Sequence, residues 1–431
     1  MTYIRRYWTQ SKPYRIILGI ALAYVLLRLI IHGVFLATLV SADGLEGHDL
    51  QIYLDASHRL LEGQPLYPQE TPDYIEFYQY APAYALVFVP FLWLPVPVTV
   101  TVLSLLHIGA YVLMYVKWQQ IFAQLGLERA NQVLALTLPV WLVFSQFWTD
   151  LGYLNVYVFM ALLATLLVKS IMDQKMSLSV LWLAIILQVK PQWAFAAALP
   201  LLLGQRRFFT RLVGVSIVTY VAITGVLMLI FGAGYIWKQQ VDYATLLLNI
   251  SQGAYPWRGP DALYLGYNHS IVQITVYLLG ARPTSFQVAT AIQAILLLPL
   301  VLVCLRELIK KDPAPSSRYL DLAFALYLGA FIWLDVVWEV TYGIVLFTYL
   351  LSQLGKKGER IWVWAIFMPY ALVDLWRLVS VGVWGWDIVA PGPFILTDPA
   401  IYIPLVMIVI LVFYGLLIRQ LWRRPMSSGA D

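Results

Sequence analysis

From Ile16 to Val40 the chain runs 25 residues with one formally charged side chain, Arg28. A helix of about 20 apolar residues crosses a bilayer core, so this run is long enough to span one. Further apolar segments follow at roughly 82–117, 131–147, 150–169, 178–189, 192–203, 212–232, 286–306, 319–335, 340–354, 361–380 and 399–420. This recurrence constrains the fold more than any motif does. In hydrocarbon every backbone polar group must bond internally, which leaves helices or a closed barrel. Barrel strands alternate apolar with polar residues, and these runs are continuous. The expected fold is therefore an all-α polytopic membrane protein. Composition agrees: 61% of the 431 residues are apolar, 12% are charged, and the mean hydropathy is +0.75. A soluble domain carries about a quarter charged residues. A chain this poor in charge cannot cover itself in water. That excludes an ordinary soluble enzyme, a disordered chain and a collagen-like rod. The single cysteine, Cys304, excludes a disulfide framework and a Cys-based metal site.

The distribution of charge orients the segments. Basic residues cluster between them: Arg5, Arg6, Lys12 and Arg15; Arg206, Arg207 and Arg211; Lys356, Lys357 and Arg360; Arg419, Arg423 and Arg424. The positive-inside rule places these clusters in the cytoplasm, with both termini there and about 12 transmembrane or membrane-embedded helices. The 82–117 stretch then has to act as one pass, broken near Pro95 and Pro97. A signal peptide has an apolar core of about 7–15 residues, so the longer first run is expected to be an uncleaved anchor. No repeat or low-complexity linker divides the chain, and residues 1–431 are expected to form a single integral membrane domain. Its external loops would be 41–80, the candidate catalytic loop, and 233–270. The net charge of +5 lies on membrane-flanking clusters, and no nucleic acid is expected as a partner.

Loop 41–80 sets eight carboxylates against one basic residue, Arg59. Within it, GHDLQIYLDASHRLLEG places Leu50, Tyr53, Leu54, Leu60 and Leu61 at helical spacing, and Gly63 fits a helix C-cap. A short amphipathic helix at the membrane surface follows. Asp49 stands at its start, where the helix dipole stabilises a carboxylate, so a plain capping role is one reading.

Asp49, Tyr53, Gly63, Pro65, Tyr67, Tyr80, Pro82 and Pro90 form a pattern that resembles glycosyltransferase family 87. Asn155 in GYLN resembles that family's GQxN element, with Tyr153 in place of Gln. Lys190-Pro191 and Asn268-His269-Ser270 resemble two further family elements. The resemblance spans roughly residues 15–275. It implies a GT-C-like bundle and an enzyme that takes a hexose, most usually mannose, from a polyprenyl-phosphate donor. The acceptor would be an outer-leaflet glycolipid or glycan hydroxyl, and membrane lipids would be the other partners.

Such a transfer needs a base for the acceptor proton and cations for the leaving phosphate. Inversion needs no second carboxylate, because a phosphate leaves as a stable anion. The resemblance makes Asp49 the base, and its place at the end of the first apolar run supports this. Asp150 is the second candidate. Lys190, between two apolar runs too short to span, marks a site with a partner, and phosphate is the expected one. A lysine snorkelling to the headgroups is the bland alternative. His269 and Arg258 are further candidates for donor phosphate. His48, Tyr53, Tyr80, Asp150, Asn155 and Asn268 are candidates for sugar or acceptor. Arg377 and Asp374 are expected to pair on one helix face at i,i+3. A divalent cation is a conceivable cofactor, but Asp49 and Asp55 have no ordered ligand spacing.

Two other classes compete. A transporter or lipid flippase would carry paired broken helices in both halves, and only the Lys190 hairpin fits. A non-catalytic assembly subunit would tolerate replacement of Asp49. The expected setting is a bacterial plasma membrane with the active site on its external face.

Overall fold

The computed structural model describes residues 2–39, 42–45, 48–67, 78–251, 268–309, 318–334, 341–384 and 399–423. These are helical, with no strand among the described residues. Five helices are long and apolar enough to cross a membrane: Lys12–Thr38, Val96–Gln124, Arg206–Phe231, Pro283–Ile309 and Pro404–Arg423. Two bent pairs raise the number to seven: Glu128–Leu136 with Leu138–Tyr153, bent 51°, and Lys357–Ala371 with Val373–Val383, bent 55°. Proline sits close to each bend, at Pro139 and Pro369, where it removes a helical hydrogen bond and crowds the preceding turn.

The remaining apolar helices, such as Tyr157–Met172, Met176–Val189 and Tyr319–Trp333, have 10–17 residues. At about 1.5 Å per residue they are shorter than a hydrocarbon core of about 30 Å. The expected count of about 12 transmembrane or membrane-embedded helices included these short runs; among the described residues, five to seven helices meet the length for a full crossing. Two of the short helices lie in the interior of the protein. Tyr319–Trp333 and Gly343–Gln353 are buried on nearly every face, as helices apolar all round must be. The long helices wrap around them. Lys12–Thr38 buries only Tyr14, Leu18, Ala21 and Tyr24, a single helical stripe, and leaves Ile17, Ile20, Leu26, Ile30 and Val34 exposed. That apolar outer face suits lipid and would be a large liability in water.

Local signals set the elements that carry the site. Ser11 caps the first long helix by accepting from the Tyr14 amide at 3.3 Å. After a 3-10 turn at Ala42–Leu45 the chain enters the helix Asp49–Glu62, which Gly63 ends at φ 68°, a conformation that glycine takes without strain. This helix buries Leu50, Tyr53, Leu54 and Leu60 against the protein, along the 3-10 helix Leu86–Trp93. The 82–117 stretch is divided at Pro95. A short piece, Pro82–Trp93, precedes the 29-residue helix Val96–Gln124, so only the second part is long enough to span. Lys190-Pro191 ends the helix Met176–Val189 and begins the 3-10 turn Pro191–Ala198.

Candidate active site

Asp49 is the first residue of its helix, and its Oδ2 accepts a hydrogen bond of 2.8 Å from the Asn155 side-chain amide. Asn155 Oδ1 in turn accepts from the Val156 amide at 2.6 Å and from the Tyr53 hydroxyl at 3.3 Å. The Tyr53 and Tyr80 hydroxyls are 3.0 Å apart. Burial, reinforced by each other and by the charge of Asp49, holds the Tyr53 phenol well above its ordinary pKa of 10.0. Burial, followed by the charge of Asp49, does the same for Tyr80. Both therefore remain neutral hydroxyls at neutral pH.

Lys190 is 7% exposed. Its ammonium donates to the Tyr157 hydroxyl at 3.3 Å and lies over the rings of Tyr157 and Tyr80, 4.5 and 5.0 Å from their centroids. Asp49 and Asp150 are both within electrostatic reach of it. The Tyr78–Ala81 segment is fastened beside it, because the Ala81 amide donates to the Gln188 carbonyl at 3.2 Å. Both polar atoms of the Gln188 side chain, and the Trp193 indole nitrogen, are buried without a hydrogen-bond partner among the described residues. Each such group costs about 1–3 kcal/mol unless something satisfies it.

Asp150 lies beneath this cluster and has a structural occupation. Its Oδ1 and Oδ2 accept from the amides of Tyr157 and Val158 at 3.1 and 2.9 Å, capping the helix Tyr157–Met172. Its side chain is 3% exposed and stands 3.7 Å from His107. His107 Nε2 is 2.6 Å from the Asn155 carbonyl oxygen, and Nδ1 is 2.7 Å from that of Leu103. Leu154, between the two helices, takes φ 55°, a strained value for a branched side chain. The 150–158 turn is thus secured from several sides, and its tip delivers Asn155 to Asp49.

Asp49, Asn155, Tyr53, Tyr80 and Lys190 come together as one cluster, with Asp150 packed behind it. His48 precedes Asp49 as the helix N-cap and stacks on Phe35 with centroids 5.2 Å apart. Asn268 and His269 are buried at the start of the helix Ile271–Leu279. Asn268 accepts there from the Ser270 amide at 3.0 Å, and Ser270 caps the helix. Arg258 lies outside the described residues. Sequence reasoning did not single out His107 or Tyr157. The available signal was a titratable residue within the long apolar helix, which is expensive there and marks a function or a partner. The expected Asp374–Arg377 pair gives way to a different one. Asp374 accepts from the Tyr24 hydroxyl and sits 3.1 Å from Arg28 Nε, joining two helices far apart in sequence. Among the described residues no group of three or more His, Cys, Asp or Glu side chains is placed to hold a metal ion.

An all-helical protein with membrane-length apolar helices, which gathers the half-buried Asp49 and Asn155 and the buried Lys190 beside Tyr53 and Tyr80, has the build of a polytopic membrane protein. The family model of glycosyltransferase family 87 matches residues 78–334, more than half of the chain. The chain belongs to that family and is a glycosyltransferase. The matched region contains Tyr80, Asn155, Lys190 and His269 and begins after Asp49; the hydrogen bond from Asn155 ties Asp49 to it. A search of curated proteins and a search of solved structures each return no match.

Proposed function

We propose that the protein moves a hexosyl group, mannose being the usual one for such enzymes, from a polyprenyl-phosphate donor to a hydroxyl of an outer-leaflet glycolipid or glycan, with inversion at C1. The reading is carried by the Asn155–Asp49 hydrogen bond, which fixes a carboxylate in a cluster that also holds a buried lysine. The acceptor oxygen attacks C1 and passes its proton to Asp49. The C1–O bond to phosphate breaks with its electron pair leaving on the phosphate. Asn155 occupies one lone pair of Asp49 and orients the other oxygen toward the acceptor. Lys190 meets the developing negative charge on the phosphate, where a preorganised cation in a dry site is worth far more than in water. Gln188 and Trp193 offer polar atoms to sugar or phosphate, and His269 is a further phosphate donor. With both termini cytoplasmic, this cluster faces the outside of a bacterial plasma membrane.

The test is sugar transfer by the purified protein in nanodiscs. It would be supplied with a short-chain polyprenyl-phosphate mannose or glucose and a pool of bacterial envelope lipids. A labelled product that disappears in Asp49→Asn, with donor binding retained, is the expected result. Equal transfer by both proteins would remove Asp49 from the role of base.

A further inference from the structure

His107 stands within the membrane-length helix Val96–Gln124 and is 1% exposed. A titratable side chain is costly there and marks a function or a partner. Its ring nitrogens meet oxygen on both sides. Nε2 is 2.6 Å from the main-chain oxygen of Asn155 and 3.7 Å from Asp150 Oδ2. Nδ1 is 2.7 Å from the Leu103 oxygen, one turn back on its own helix, so the ring is held against rotation. The ring of Phe159, on the helix Tyr157–Met172, meets it edge-on with centroids 4.4 Å apart. His32 of the first long helix is within electrostatic reach, and Ser104 Oγ lies 2.7 Å from its Nε2.

A carbonyl oxygen only accepts, so the short contact to Asn155 makes His107 Nε2 the donor. Asn155 is then gripped at two points. Its main chain hangs from His107, and its side-chain amide reaches Asp49. The turn needs such a grip, because Leu154 beside it holds φ 55° against the preference of a branched side chain. Asp150 secures the turn to the two helices it joins, through the amides of Tyr157 and Val158. His107 ties it to a third helix, and that tie sits on the very residue that orients the carboxylate.

We propose that His107 is a positioning residue for sugar transfer: its Nε2–H fixes the main chain of Asn155, and through it the direction in which Asn155 aims Asp49. The assignment rests on the proposed function, in which Asp49 takes the acceptor proton. It adds a residue that touches neither substrate. It also gives the His107–Asp150 pair a common task, holding the turn from opposite sides.

The experiment uses the full-length protein in nanodiscs. His107→Phe keeps a ring and loses the donor; His107→Gln places an amide N–H near the position of Nε2. His107→Phe should cut kcat by about 10–100-fold at nearly unchanged donor KM, the effect of a displaced catalytic group. His107→Gln should recover most of that loss. In an Asn155→Ala background, His107→Phe should cost less than about a further twofold, because residues that act through one another are not additive. Nitrogen NMR on isotopically labelled histidine supplies a readout that needs no turnover. The chain has five histidines, and the His107 signal is the one that vanishes in His107→Gln. Hydrogen on Nε2 is expected. A bare Nε2 would overturn the proposal, and so would losses that multiply in the double variant, a loss confined to KM, or equal losses in the Phe and Gln variants. Should either variant fail to fold, the ring nitrogens of the wild type still decide. The two readings fail separately. Coupling of His107 to Asn155 in a protein whose transfer ignores Asp49→Asn would refute the base alone. Asp49-dependent transfer without that coupling would refute the role of His107 alone.

Discussion

The side-chain amide of Asn155 donates to Asp49 across 2.8 Å, bridging 106 positions of sequence. One end of Asn155 holds the carboxylate, while its carbonyl oxygen takes the Val156 amide and the Tyr53 hydroxyl. The amide can therefore point only one way, and the carboxylate is oriented before any substrate arrives.

Asn155→Ala should cut kcat by about 10–100-fold with little change in donor KM, since a hydrogen bond to a charged group is worth about 1.5–3 kcal/mol. Asn155→Asp should be worse, because two carboxylates would then face each other. Steady-state kinetics on both variants, with donor binding measured separately, checks this. A rise in KM at unchanged kcat would place Asn155 on the sugar and leave Asp49 unsupported.

Lys190→Met should lower both donor affinity and thermal stability. Removing one partner of a buried charge group costs about 3–5 kcal/mol, because Asp49 and Asp150 lose their counter-charge. Thermal unfolding in detergent, with and without polyprenyl phosphate, separates the two effects. The wild type should gain more stability from the ligand than the variant does. An equal gain would show that Lys190 serves structure alone.

Stability should fall as pH rises beyond about 10, the range in which a free phenol ionises. Tyr53, Tyr67, Tyr78 and Tyr80 are all held well above 10.0, chiefly by burial. Above pH 10 the unfolded chain releases these protons and the folded one retains them, so the unfolded state is favoured. Their contribution is fully present below pH 10 and is lost progressively above it. Unfolding temperatures measured from pH 8 to pH 11 should be flat and then descend, with Tyr78→Phe softening the descent. A flat curve throughout would count against neutral buried phenols.

Asp374→Asn should destabilise the protein by about 1–3 kcal/mol, the cost of leaving polar partners unsatisfied. Arg377→Gln should stay within about 0.5 kcal/mol of the wild type. The asymmetry follows because Asp374 serves Arg28 and Tyr24 on another helix. Equal losses from both substitutions would restore the local i,i+3 pair. Thermal unfolding of the two variants side by side decides the matter.

Much of the framework is legible residue by residue. Apolar runs mark the helices, Gly63 ends the Asp49–Glu62 helix, and Lys190-Pro191 interrupts the short apolar pair around it. Pattern, capping and proline geometry act over a few neighbouring positions, so the sequence alone determines them. It also marks Lys190 as unusual, since a charge beside apolar runs is expensive, while Asp49 and Asn155 stand out through their resemblance to family elements. Pairing is a different matter. Asp150 and Asp49 are both acids at the edge of apolar runs, yet Asp150 has its oxygens on two backbone amides and Asp49 meets Asn155. Asp374 ignores the arginine three residues away for one on the first long helix. The short helices Tyr319–Trp333 and Gly343–Gln353 look like lipid-facing crossings by hydropathy, yet protein surrounds them on nearly every face. These choices belong to the tertiary structure. Hydropathy reports how strongly a segment avoids water, whether lipid or protein replaces it, and a buried charge takes the partner that packing brings within reach.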